Sequence, residues 1–163
     1  SLSCLQQNIR SQSSLVCECS KGELIRRHTK LKYALSKILR SNGMHHRVEL
    51  AFKSDRLIPD FSFFHVNYLE HVDLTIRHTE KHFIPDIERQ KITKYAPLVV
   101  GDDLFVPWVF STNGDVGLSA MLFFKKLEQV LRHKIFVTVL HTIFESNVHI
   151  ISKFCGVSNT VTN

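Results

Sequence analysis

From Glu23 to about Leu39, apolar residues return every three or four positions, at Leu24, Leu31, Leu35, Ile38 and Leu39. That is the period of an amphipathic helix. Arg26, Arg27, Lys30, Lys32 and Lys37 take much of the surface that this stripe leaves. Ser41-Asn42-Gly43 supplies the stop, with glycine just past the end. The period then changes. Arg47 to Phe52 alternates and predicts a strand, Lys53 to Arg56 a turn, and the Phe-rich run from Asp60 to Val66 a second strand. Asn67-Tyr68 turns the chain into a third strand, Val72 to Ile76. Pro85, followed by DIERQKITKY, predicts a second helix that Pro97 closes. After a turn at Gly101-Asp102-Asp103, Leu104 to Phe110 predicts a fourth strand, in which Pro107 lacks a donor and calls for an edge or a bulge. STNGDVG is a loop with Gly114 and Gly117 suited to tight turns, and Leu118 to Arg132 is a strongly amphipathic helix. The tail, IFVTVLHTIFESNVHIISKF, reads as a strand followed by a helix or by another strand; its periodicity does not choose.

The order α-β-β-β-α-β-α describes an α/β protein with a mixed sheet of four to five strands flanked by helices. Three successive strands make an antiparallel meander, and a strand–helix–strand step makes a parallel pair. The chain of 163 residues is long enough for one domain with a sizeable core, and 44% apolar with 22% charged residues is a globular composition. Residues 1–20 are Ser- and Gln-rich and read as a loose segment ahead of a single domain over 21–163. The apolar runs are too short to span a bilayer, so no membrane partner is expected. Four scattered cysteines, Cys4, Cys17, Cys19 and Cys155, give no disulfide framework and point to a reducing compartment. The chain begins with Ser rather than Met, as a fragment or the end of a longer protein would. A net charge of +6 and a pI near 9.3 favour an anionic partner, nucleic acid first.

The candidate chemistry lies in two acids. Asp60, after Pro59, and Asp73, in HVDLTIRH, each sit at or in a short β-favouring run. If those strands are neighbours, two hard oxygen ligands converge, which suits Mg²⁺. A cation held there can activate water and neutralise a phosphate. The competing reading is that both acids merely end or flank strands.

The same segments, in the same order, resemble the restriction-endonuclease-like, PD-(D/E)XK nuclease fold. They are most similar to the endonuclease domain that follows a reverse transcriptase in certain non-LTR retrotransposon polyproteins. CSKGELIRRHTKLKYAL is similar to the opening of such domains, LIPDF to their Arg-Pro-Asp segment, and VDLTI to their Asp-Val-Thr-Val strand. KITKY is similar to their Lys-x-x-Lys-Tyr helix, and LFVPWVFSTNGDVGLSAMLFFKKL to their strand, loop and closing helix. The resemblance runs from about Cys17 to Leu131.

That resemblance implies phosphodiester hydrolysis with Asp60 and Asp73 as ligands of Mg²⁺ or Mn²⁺. It further implies DNA as substrate, an upstream reverse transcriptase and element RNA as partners, and a nuclear location in a eukaryote. The family's usual lysine, two residues beyond the second acid, is Thr75 here, which carries no charge. The branch resembled takes a lysine from the next helix instead, which designates Lys91. Lys94 would hold DNA backbone and Tyr95 would pack. Glu49, in HRVEL, is the candidate third acid, and an exposed edge-strand residue otherwise. Arg26, Arg27 and His28 are candidate DNA contacts, or an ordinary solvated face. His45 and His46 are expected in a loop, and His78 is a candidate for the cleft. Cys17, Cys19 and His28 have the wrong spacing for a regular zinc knuckle, with no fourth ligand evident, and read as its residual end. The alternative to an enzyme is a decayed or domesticated nucleic-acid-binding module of the same fold.

Overall fold

Leu31, Leu35 and Leu39 form the buried stripe of the first helix, α1 (Lys21–Ser41), each 2% exposed or less. The computed structural model describes residues 21–49, 57–78, 83–132 and 134–155. At the end of α1, Gly43 takes a φ of +79°, which a side chain resists. This lets the Met44 N–H return to the carbonyl of Leu39 at 3.0 Å. The expected Arg47–Phe52 strand is β1 (His46–Val48), and the residues from 50 to 56 lie outside the described ones.

A four-stranded mixed sheet follows, in the order β1-β2-β3-β4. β1, β2 (Phe61–Phe64) and β3 (Leu69–Arg77) form an antiparallel meander. The chain then crosses through α2 (Ile84–Tyr95) and a short 3₁₀ turn (Ala96–Leu98) into β4 (Leu104–Ser111), parallel to β3. Pro107 therefore lies on an edge strand, in register with Asp73. Two further helices follow among the described residues, α3 (Leu118–Leu131) and α4 (Phe136–Cys155). The α/β order was legible in the sequence, with four strands and one extra helix.

One face of the sheet makes the core. Phe61, Phe63, Val72, Leu74, Trp108 and Phe110 pack with the apolar faces of α1, α3 and α4. The Trp108 ring lies 5.4 Å from Phe61, 5.0 Å from Phe123 and 4.8 Å from Phe124, within the range of favourable aromatic pairs. Alternation turns Ser62 of β2 and His71, Asp73 and Thr75 of β3 to the other face. α2 packs on β4, with the Tyr95 ring stacked 4.6 Å from Phe105.

Four expectations change. The tail is helical from Phe136 to Cys155, with no strand. Ile135, Val139 and Ile143 form its buried line, and Glu128 Oε1 accepts the free N–H groups of Ile135 and Phe136 at 3.0 and 2.9 Å. His46 is not a loop residue; it opens β1, buried between Phe61 and Phe63. Its Nδ1–H donates to the Met44 carbonyl, and Nε2 accepts from the Ser36 hydroxyl. Gly117 is not needed for a turn, since its φ is −65°. A Cβ there would lie 2.5 Å from Glu88 Oε1, so it is close packing that favours glycine. Lys32, read as surface, is 3% exposed. Among the described residues, no helix is long and apolar enough to cross a membrane.

Candidate active site

β2 and β3 stay in register as far as Phe61 opposite Val72. One residue further, where the strands part, stand Asp60 and Asp73, only 9% and 7% exposed. The N–H of Leu74 points into this gap and donates to Asp60 Oδ2 at 2.7 Å. The side chain of Asp60 thus completes the edge of β3 that β2 has left, which sets its carboxylate beside the peptide that follows Asp73.

Each carboxylate meets its own lysine. Lys32 reaches from α1 to Asp60 Oδ1 at 2.9 Å and also donates to the carbonyl of Glu49. Lys91 reaches from α2 to Asp73 Oδ2 at 2.7 Å. Thr75, two residues along β3, donates to the same Oδ2 at 2.9 Å, a hydrogen bond without charge. Tyr95, one helical turn beyond Lys91, donates to Asp73 Oδ1 at 2.6 Å. Burial pushes the phenol well above its ordinary value, helped by its hydrogen bond to Asp73 and by the negative charges of Asp73 and Asp60. Both acids therefore act on one hydroxyl. Tyr95 packs, as expected, but it also orients a carboxylate.

His28 lies against this cluster. Its Nε2–H donates to the Leu74 carbonyl at 3.0 Å and stands 3.5 Å from Asp60 Oδ2. Its neighbours differ. Arg26 is exposed, while Arg27 is half-buried, with burial drawing its guanidinium pKa down. Glu49 contributes its peptide group, its carbonyl to Lys32 and its N–H to the Asp60 carbonyl at 3.0 Å. Lys94 is exposed, its ammonium 5.3 Å above the Tyr95 ring. His78 bonds Thr112 Oγ1 at 2.8 Å and is not brought to the acids. Cys17, Cys19 and the N-terminal segment lie outside the described residues.

Of the residues singled out in the sequence, the structure brings together Asp60, Asp73, Lys91 and His28, with the backbone of Glu49. Lys32 was missed as a member. Its signal was its angle on α1, at the margin of the buried stripe beside Leu39 and one turn from His28. Among the described residues, no three His, Cys, Asp or Glu side chains are placed to share a metal. Two carboxylates are nevertheless a donor set that Mg²⁺ uses, with water and phosphate completing its shell. No protein-family model matches the chain, and no curated protein matches its sequence.

Proposed function

We propose that the chain is a divalent-metal-dependent DNA endonuclease domain with a restriction-endonuclease-like core, of the kind associated with non-LTR retroelements. One observation carries the reading: Asp60 and Asp73 stand where β2 and β3 part, Asp60 bonded to the N–H of the residue after Asp73, and Asp73 paired with Lys91 from the following helix. The element order, with an antiparallel meander and a parallel fourth strand joined through a helix, also supports it. Fold analogy alone would not establish activity.

On this reading Asp60 and Asp73 hold Mg²⁺ or Mn²⁺, which supplies Lewis-acid polarisation of a phosphodiester and a nucleophilic water near neutral pH. Lys91, whose side chain is 20% exposed, sits at the open side of the cluster and stabilises charge developing on the phosphate. Tyr95 and Thr75 fix the rotamer of Asp73, and the Leu74 N–H fixes that of Asp60. Arg26 and Lys94 supply sequence-independent phosphate contacts from exposed positions. The setting implied is nuclear in a eukaryote and intracellular otherwise, beside a reverse transcriptase and the element RNA.

The second reading is a nucleic-acid-binding module without hydrolysis. It is favoured by the pairing of both carboxylates with lysines and by the uncharged Thr75. Incubation of supercoiled plasmid with Mg²⁺ or Mn²⁺ separates the two. Nicking by wild type that is lost in Asp60→Asn and Asp73→Asn supports the enzyme. A salt-sensitive gel shift with no nicking supports the binding module. Absence of both rejects the two together.

A further inference from the structure

Lys32 stands out because it is a lysine almost without solvent access, inside the cluster, and contributed by an element that carries neither acid. Its ammonium donates to Asp60 Oδ1 and to the Glu49 carbonyl. With Lys91 on Asp73, each of the two carboxylates carries an ammonium group, and His28 stands 3.5 Å from Asp60 Oδ2 as well. Asp60, Asp73 and Lys32 are each at least nine-tenths buried, so charge added here is poorly screened.

We infer that Lys32 makes metal binding at this site conditional on phosphate. This rests on the proposed metal site and deepens it. A divalent ion entering alone would bring two positive charges to buried carboxylates and meet two ammonium groups already on them. An ion arriving with a phosphodiester brings one negative charge with it, which offsets half of the charge added. The free protein then holds metal weakly, while the protein on nucleic acid holds it well. Lys32 is thus a positioning residue. It keeps Asp60 oriented without metal and ties occupancy of the site to the substrate.

The test is the Mn²⁺ affinity of the protein, read from the paramagnetic resonance of free Mn²⁺, with and without a short DNA duplex and corrected for the duplex alone. Wild type is expected to bind weakly without duplex and markedly tighter with it. Lys32→Met should bind Mn²⁺ in the absence of duplex roughly tenfold or more tightly than wild type, since one opposing charge is gone. If circular dichroism shows that this variant does not fold, Lys91→Met, at a more exposed position, should move the affinity in the same direction. Equal wild-type affinity with and without duplex overturns the inference, as does an unchanged affinity in the folded variants. A wild type that nicks plasmid while binding Mn²⁺ independently of duplex sinks this inference alone. One that neither nicks nor binds Mn²⁺ under any condition sinks the proposed function and this inference with it.

Discussion

The phenol of Tyr95 gives its hydrogen to Asp73 Oδ1 at 2.6 Å, across 22 residues of chain, so the end of α2 is pinned to the middle of β3. A hydrogen bond to a charged acceptor contributes more than a neutral one. Tyr95→Phe keeps the stack on Phe105 and loses only the donor. The expected cost is about 1.5–3 kcal/mol, read as a lower urea midpoint with an unchanged slope.

The same phenol gives a sign for alkaline pH. Its folded pKa is raised above the ordinary value, first by burial and then by Asp73. Its contribution is therefore complete below the unfolded value of about 10 and is lost as pH rises beyond it. Wild type should lose more stability than Tyr95→Phe between neutral and strongly alkaline pH. The folded proteins should show equal phenolate absorbance until unfolding begins. Extra phenolate absorbance in folded wild type would place Tyr95 in a solvated setting.

Lys32 and Asp60 should behave as a coupled pair. Removing either leaves its partner buried and uncompensated, at a cost of about 3–5 kcal/mol. The double variant, Lys32→Met with Asp60→Leu, should cost clearly less than the sum of the two single changes. Denaturant titration of all four proteins closes the cycle. Additive costs would mean that the pair does not exist in solution.

His46 contributes to the loss of stability in acid. Burial lowers its pKa, with Arg40 and His45 pushing the same way, while its bond to the Met44 carbonyl pushes upward. A histidine with a depressed folded pKa stabilises the fold above the unfolded value of about 6.5, and that stability is lost as pH falls through the folded value. Wild type should lose stability below about pH 6.5, and His46→Gln should show a shallower decline over the same interval.

Much of this architecture was legible because it is local. The Leu31–Leu35–Leu39 stripe, Gly43 past the helix end, Pro97 and the β-favouring run around Asp73 all carry their signals within a few residues. The tail was not, because IFVTVL is as rich in β-branched residues as a strand, and Val137 and Phe144, exposed on α4, blur the helical stripe of Ile135, Val139 and Ile143. At the site, the two acids and Lys91 could be singled out by type and spacing. Lys32 was set apart from its basic neighbours only by its angle beside the buried stripe, and its partner lies 28 residues along the chain. Gly117 likewise looked like a turn glycine because Glu88, which it packs against, comes from a different element.

The central claim is that Asp60 and Asp73 share one divalent ion. Crystals grown with a short DNA duplex and Mn²⁺, measured for anomalous scattering, test it most directly. The account predicts one anomalous peak within about 2.0–2.3 Å of an oxygen from each carboxylate, with a phosphate oxygen on the same ion. Lys32 and Asp60 still paired beside a duplex, with no peak between the acids, would contradict it.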